Sequence, residues 1–395
     1  MTVAGNDRTE VCAAFSEISG LRERNAIAVK VAKDRGRKVV GTYCLFSPVE
    51  LIVAAGAIPV SLCGSSATPI PAAEKVLPRS LCPLIKSSYG FALTDTCPFF
   101  HFSDLLLAET TCDGKKKMYE LLAEIKPLHL MQLPQVRDEV ALDYWVLELK
   151  RLVARLEQEF EVQITPEKLA AAVLLLNEER RSLKRLQDLL KRKPAPISGL
   201  DLLTVLHNRG FTVDKRESIE LIDRLTDELA QLSDQGVSPF TAATPRIVLT
   251  GVPVGIGSEK VVRLIEEVGG SVVCFESCGG YKKVDPVLPG HDLLRSIAEK
   301  YLRVPCSCMS PNTGRLQLLE ELVREFQADG VIDLTWQGCH TYNVESFTVK
   351  RHLQETAQVP FLQIETDYSE FDTEQLRLRI EAFLEMVVAG KGGRP

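Results

Sequence analysis

The chain has no membrane-spanning run. Its longest apolar stretch, Leu51 to Leu62, covers 12 residues and contains Gly56 and Pro59, whereas a spanning helix needs about 20. It has no long Lys/Arg block, and its net charge is −6. A polyanion is repelled on average, so nucleic acid is not an expected partner. The first residues, Met1 to Asp7, show no basic segment followed by an apolar one, and the expected location is the cytoplasm. Phosphate-loop signatures are missing too. Gly251-Val252-Pro253-Val254-Gly255-Ile256-Gly257-Ser258 has neither a Gly-Lys-Ser/Thr ending nor G-x-G-x-x-G spacing, so a tight turn into a helix is its expected role. Short solenoid periods are absent.

Cysteine is abundant: there are eleven. In a reducing compartment stable disulfides are disfavoured, and an odd count fits poorly with a complete disulfide framework. Metal binding or catalysis is the better explanation. The only close pairs are Cys274/Cys278 and Cys306/Cys308, not the twin C-x₂₋₄-C sets common in structural zinc sites. Iron–sulfur clusters accept thiolates widely spaced in sequence, so the dispersion favours iron–sulfur over zinc.

The pattern of elements points to an α/β protein. A helix is expected over 10–35. Strands are expected at Lys38–Thr42, Ile58–Leu62, Asp104–Ala108 and Leu128–Leu133, with helices at Pro48–Ala55 and Lys115–Ile125. Alternating strands and helices indicate a parallel sheet covered on both faces. From about 135 to 235 the pattern becomes long amphipathic helices, near 138–158, 165–193 and 214–234, with Thr165-Pro166-Glu167 as a start signal. A second α/β region follows. Its strands are expected at Arg246–Thr250, Ser271–Phe275, Gly330–Leu334 and Pro360–Ile364, and its helices at Glu259–Val268 and Val344–Glu355. The two regions have similar element order and read as distant copies. The fold expected is two Rossmann-like or flavodoxin-like parallel-sheet domains facing each other. The N-terminal helix and first domain cover 1–135, a helical insert or brace 136–240, and the second domain 241–395.

Cys44, Cys112 and Cys339 each fall just past an expected strand. In open parallel sheets ligands gather at the carboxyl ends of strands, and helix N-termini there stabilise anions. A thiolate so placed is acidified and ligates metal readily. If two such sheets face each other, their cysteine loops converge in the cleft between them.

Four ordered motifs then carry a resemblance. Gly41-Thr42-Tyr43-Cys44-Leu45-Phe46-Ser47-Pro48-Val49-Glu50 is the first, with Ala54-Ala55-Gly56-Ala57 behind it. Leu81-Cys82-Pro83-Leu84-Ile85-Lys86-Ser87-Ser88-Tyr89-Gly90-Phe91 is the second. The third is Glu109-Thr110-Thr111-Cys112-Asp113-Gly114-Lys115-Lys116-Lys117-Met118-Tyr119-Glu120. Gln337-Gly338-Cys339-His340-Thr341-Tyr342, with Glu345, completes the set. Over residues 35 to 385 the chain resembles the 2-hydroxyacyl-CoA dehydratase and benzoyl-CoA reductase superfamily. Within it the chain is most similar to the homodimeric double-cubane cluster proteins. That resemblance implies an [8Fe-9S] double-cubane cluster in each subunit, with three cysteines on each cubane. It also implies a separate ATP-hydrolysing iron–sulfur activator as electron donor, and reduction of a small-molecule substrate.

Carried over by motif, Cys82, Cys112 and Cys339 rank first as ligands. Cys44, Cys278 and Cys308 are chosen for the second cubane, with Cys306 and Cys63 in reserve. Cys12 and Cys274 are expected to be structural, and Cys63, apart from its reserve place, and Cys97 to be core or neighbouring residues. His340 is a candidate proton donor, weighed against a supporting hydrogen bond. Lys86 and Lys115–Lys117 offer charge to offset a cluster, although the latter run more often forms a solvated face. Glu50 is expected to complement a helix dipole. Two other readings stand beside the reductase: a 2-hydroxyacyl-CoA dehydratase subunit with one [4Fe-4S] cluster, and a non-enzymatic electron-transfer or cluster-storage protein.

Overall fold

In the computed structural model residues 12–391 are described, so the reading of Met1–Asp7 and the Glu10 start of the first helix lie outside the described residues. The expected first helix is two, α1 (Ala13–Ser19) and α2 (Leu21–Asp34), interrupted at Gly20. The chain then builds its first sheet. β1 (Val39–Thr42), α3 (Val49–Ala54) and β2 (Ile58–Ser61) are followed by α4 (Ile70–Ala73), α5 (Pro83–Thr94) and α6 (Pro98–Phe102). β3 (Leu105–Glu109), α7 (Asp113–Ala123) and β4 (Leu128–Met131) complete it. All pairings are parallel, in the order β2-β1-β3-β4. β1 and β3 are buried along their whole length, as unbroken apolar runs such as Leu105–Ala108 require.

Four helices follow: α8 (Glu139–Phe160), α9 (Pro166–Leu189), α10 (Gly199–Asn208) and α11 (Lys215–Asp234). Thr165 caps α9 by accepting the Lys168 amide, and Pro166 occupies its first turn. α10 was not expected, because a helix opening on glycine after two prolines has a weak signal. Gly199 is there for space: a Cβ would lie 2.7 Å from Val272 of the second sheet.

The second sheet has the same plan. It contains β5 (Arg246–Gly251), α12 (Lys260–Glu267), β6 (Ser271–Phe275), α13 (Leu293–Leu302) and α14 (Thr313–Glu325). β7 (Gly330–Trp336), α15 (His340–Thr356), β8 (Phe361–Thr366) and α16 (Thr373–Lys391) end the chain's described part. Its strands are parallel in the order β6-β5-β7-β8, matching the first sheet strand for strand. The α/β class and the paired parallel sheets expected from the sequence are thus present. α15 starts at His340, earlier than the expected Val344, and α13, α14 and α16 add to the expected set. Among the described residues no helix is long and apolar enough to cross a membrane.

Two cores hold these layers. One lies on the face of the first sheet carrying Val40, Leu105 and Leu107, under α3 and α8, and takes in Val287, Ile297, Tyr301 and Met309 from the second half. The stretch around α13 therefore packs on the first sheet. The other core runs from Val39 and Leu106 through Leu203, Leu206 and Phe211 to Val248 and Val272. It is continuous across both sheets, and α10 is its bridge. α9, about 36 Å long at 1.5 Å per residue, packs on α3 and beyond its far end reaches the second half, where Lys191 pairs with Glu325 at 2.7 Å.

Candidate metal centre

In each sheet the strand order reverses between the central pair, β1/β3 and β5/β7, and the crevice at the carboxyl ends there is a natural ligand site. Cysteines crowd these ends: Cys44 follows β1, Cys63 follows β2, Cys112 follows β3, Cys278 follows β6 and Cys339 follows β7. The two edges interlock. Ser65 Oγ donates to the Ile256 carbonyl at 2.7 Å, and the Tyr368 hydroxyl donates to the Gly64 carbonyl at 3.0 Å. The Gly251–Ser258 segment thus docks on the first half, and all eleven cysteines are free thiols.

Cys82, Cys112 and Cys339 occupy the N-cap positions of α5, α7 and α15, and none uses its sulfur to cap. Glycines bring their loops together. Gly338 has φ +74°, and a Cβ there would lie 2.5 Å from the Ser80 carbonyl and 3.1 Å from the Cys82 nitrogen. A Cβ on Gly114 would meet Ile85 and Leu81 at 2.8 and 2.9 Å. The Leu81–Cys82 turn is therefore sandwiched between the loops of Cys112 and Cys339. Each thiol acts on the other: Cys82 lowers Cys339 to about 7, and Cys339, with burial, raises Cys82.

A second group contains Cys44, Cys278, Cys306 and Cys308, each within the electrostatic reach of others in the set. Cys306 is the acidic member. The neighbouring Cys308 thiol, then Lys282 and the Tyr342 hydroxyl, 3.9 Å from its sulfur, lower it to about 5 against the pull of burial. Burial raises Cys44, and raises Cys278 to about 12. Cys306, held in reserve by the sequence reading, lies in the middle of this group. Beneath it Lys282 is fixed by Glu276 at 2.8 Å and Tyr342 at 3.2 Å. Arg315, wholly buried, ties Glu276, Asp333, Glu345 and Thr250 together. Nothing in its local sequence distinguishes Arg315 from a surface residue of α14.

Lys115 connects the two groups. Its ammonium donates to the Tyr43 carbonyl at 3.1 Å. Against the pull of burial, Tyr119, Cys44, Cys63 and Cys112 hold it well above its ordinary range. Lys116 and Lys117 do form a solvent-side face, pairing with Asp113 and Glu120. A helix turns 100° per residue, so one lysine of the three faces inward. Lys86 is used otherwise, bound to Glu74 at 2.8 Å and to the Arg79 carbonyl at 2.9 Å. Glu50 does more than meet a helix dipole: it is completely buried, paired with Arg180, and accepts from the Tyr301 hydroxyl at 2.9 Å.

His340 stands exposed in the first turn of α15. The imidazole beside the cysteines is His207 of α10, missed because α10 itself was missed. Burial, and then the nearby Arg22 charge, lower His207 to about 4. Cys12 donates to Glu228 at 2.8 Å, Cys274 is buried in β6, and Cys97 caps α6 without a side-chain bond. A cavity of about 150 Å³ opens between the halves, with Cys44, Cys63 and Cys278 on one side and His207, Arg209 and Lys283 on the other. Buried beside Ser47, which donates to it at 2.5 Å, Glu109 rises to about 8.

Among the described residues no three donors close on one point at the spacing of a single ion. A cluster attaches its thiolates at separate corners, and the wider ring of soft sulfur donors, three of them at helix N-termini and with Lys115 among them, suits such a body.

The sequence profile of the family "2-hydroxyglutaryl-CoA dehydratase, D-component" matches residues 44–387. The chain is 46% identical over 383 residues to the "Putative dehydratase subunit YjiM" of Escherichia coli (strain K12), covering 96% of this chain and 99% of that one. It is 26% identical to the (R)-phenyllactyl-CoA dehydratase beta subunit of Clostridium sporogenes, over 90% and 94% of the two chains. Against one of the benzoyl-CoA reductase subunits of Thauera aromatica the identity is 24%, over 91% of each chain. With four cysteine motifs on the facing edges of two like sheets, the chain belongs to the 2-hydroxyacyl-CoA dehydratase and benzoyl-CoA reductase superfamily.

Proposed function

We propose that this chain is the catalytic component of an ATP-coupled, low-potential reductase that reduces small molecules at a double-cubane [8Fe-9S] cluster. A separate ATP-hydrolysing iron–sulfur activator delivers the electrons, and the chain acts as a homodimer. The observation that carries this reading is the division of the site cysteines into two adjoining groups. Cys82, Cys112 and Cys339 would hold one cubane. Cys44, Cys278 and Cys308 would hold the other, with Cys306 competing for a place in that set. When bound, such a cluster supplies single electrons at low potential.

The chain's own residues do the rest. Lys115 and Lys282 place positive charge beside the thiolates and so favour an anionic guest. The Tyr342 hydroxyl steadies Cys306. Loops interlocked at Ser65/Ile256 and Gly64/Tyr368 hold the two sheet edges against each other beside the sulfur ring. His340, exposed at the head of α15, is retained as a candidate proton donor from the outer side. The Gly251–Ser258 loop is filled by contacts with Ser65, which leaves ATP hydrolysis to the activator.

A second reading, favoured by the names of the relatives, is a dehydratase subunit with one [4Fe-4S] cluster. Anaerobic iron and sulfide analysis separates the two: about eight irons per chain for the reductase, about four for the dehydratase. Cys112→Ser is expected to lose cluster content under either reading, with a changed EPR signal. Cys278→Ser loses iron only under the first. Full iron retention in both variants would overturn the cluster assignment.

A further inference from the structure

Behind the cysteine-lined cavity lies an uneven set of buried charges. Arg180, Arg209, Lys215, Lys283 and Lys300 are gathered around two buried carboxylates, Glu50 and Glu179. Glu50 is taken by Arg180. Glu179 is shared by Lys215 at 3.0 Å and Arg209 at 3.9 Å. Asp285 is exposed and acts on Lys300 only at a distance. Among the described residues Lys283 and Lys300 have no carboxylate within ion-pair range. The Arg209 side chain is buried, and its Nε has no hydrogen-bond partner. Burial, with the neighbouring cations, lowers Lys283 to about 7 and Lys300 well below its ordinary range; an anion bound beside them would offset that cost and restore their charge.

The space beside these cations has a defined size. A second cavity of about 30 Å³ adjoins the first and shares Thr42, Val49, Ser61, Arg209, Gly210 and Lys283 with it. That is about the volume one water occupies in the liquid, and a cavity of about 150 Å³ is one that admits a benzene-sized body. Pockets for drug-sized ligands start at about 300 Å³, so these cavities suit a small body, and a coenzyme A moiety would have to lie outside them. Lys115 already supplies charge on the cysteine side, which leaves the cations at the inner end for another anion.

We propose that Arg209 and Lys283 bind the carboxylate of a small, free organic acid, whose body points toward the cysteine wall; the inner end of the cleft thereby selects a free acid over its coenzyme A thioester. As a substrate site this rests on the cluster reading above, but the anion site does not need it.

The test is titration calorimetry at low ionic strength, on anaerobically purified protein and on the same protein after iron chelation. The probes are acetate, propionate, lactate and benzoate, with lactoyl-CoA as comparison. Saturable one-to-one binding of the free acids is expected in both preparations, weakened tenfold or more in Lys283→Met. That substitution removes a cation that lies outside ion-pair range of any carboxylate among the described residues but helps from a distance to lower Glu179, so a cooperative melting transition serves as the folding control; should it fail to fold, the wild-type selectivity alone decides. Binding of the thioester but of no free acid overturns the proposal. So does a Lys283→Met variant that loses iron while binding carboxylates as before, since the cation would then serve the cluster. Absence of iron from the purified protein sinks the cluster reading and leaves the carboxylate isotherms readable.

Discussion

Glu179 shows how much rests on single side chains here. It is buried among Lys215, Arg209 and Lys283, which hold its carboxyl down at about 2 although burial alone would raise it. Removing one partner from such a set leaves uncompensated charge. Glu179→Gln is therefore expected to cost about 3–5 kcal/mol, read as a shift in the urea midpoint of the metal-free protein at unchanged slope. His207 gives a pH signature. Its folded-state value, about 4, lies below the unfolded value of about 6.5. Between these the unfolded chain binds more protons, so stability is full above pH 6.5 and falls as pH drops through 4, by at most about 3 kcal/mol. His207→Gln should flatten that limb. An acid limb equally steep in the variant would show that another group governs it. The sequence marked neither residue, because a glutamate in α9 and a histidine in α10 carry no local sign of what packs against them. The cysteines are different: their motifs were readable, and the residues supporting them were not.

At the scale of elements, the junction of β7 and α15 has the tightest demand. Gly338 combines a positive φ with a Cβ direction blocked by the Ser80 carbonyl at 2.5 Å. Gly338→Ala should destabilise by roughly 1–2 kcal/mol and push the Cys339 loop away from Cys82. Anaerobically prepared variant should then lose iron faster than wild type during dialysis against a chelator. Equal rates would show that the contact does not hold the two cysteines in place. A related demand explains why α7 presents Lys115 inward: Gly114 seats the helix start against Leu81 and Ile85, which fixes the rotation of everything after it.

For the whole molecule, the decisive feature is a core that does not stop at a domain boundary. Phe211 stacks on Phe99 with ring centroids 4.4 Å apart, and Leu202, Leu203 and Leu206 join the same buried cluster as Val248 and Val272. α13 meanwhile returns to pack on α8, where Arg295 of α13 meets Asp143 and Glu139 at 2.7 and 2.6 Å. The two sheets should consequently unfold together. Calorimetry of the metal-free protein is expected to give one transition whose van't Hoff and calorimetric enthalpies agree. Phe211→Ala should lower stability by about 3–5 kcal/mol while keeping the transition single. Two resolved transitions in the wild type would mean that the halves are independent.

The sequence by itself determined the parallel α/β class, the duplicated order of strands and helices, and the four cysteine motifs, because these are written locally, in apolar runs, caps and short spacings. Only the tertiary structure decided which sulfurs become neighbours, that Cys306 stands among Cys44, Cys278 and Cys308, and that one lysine of three faces them. It also decided that α10 carries the core and His207 between the halves. Those outcomes depend on contacts between residues hundreds of positions apart, such as Gly338 against Ser80, and no local pattern encodes the meeting of two surfaces.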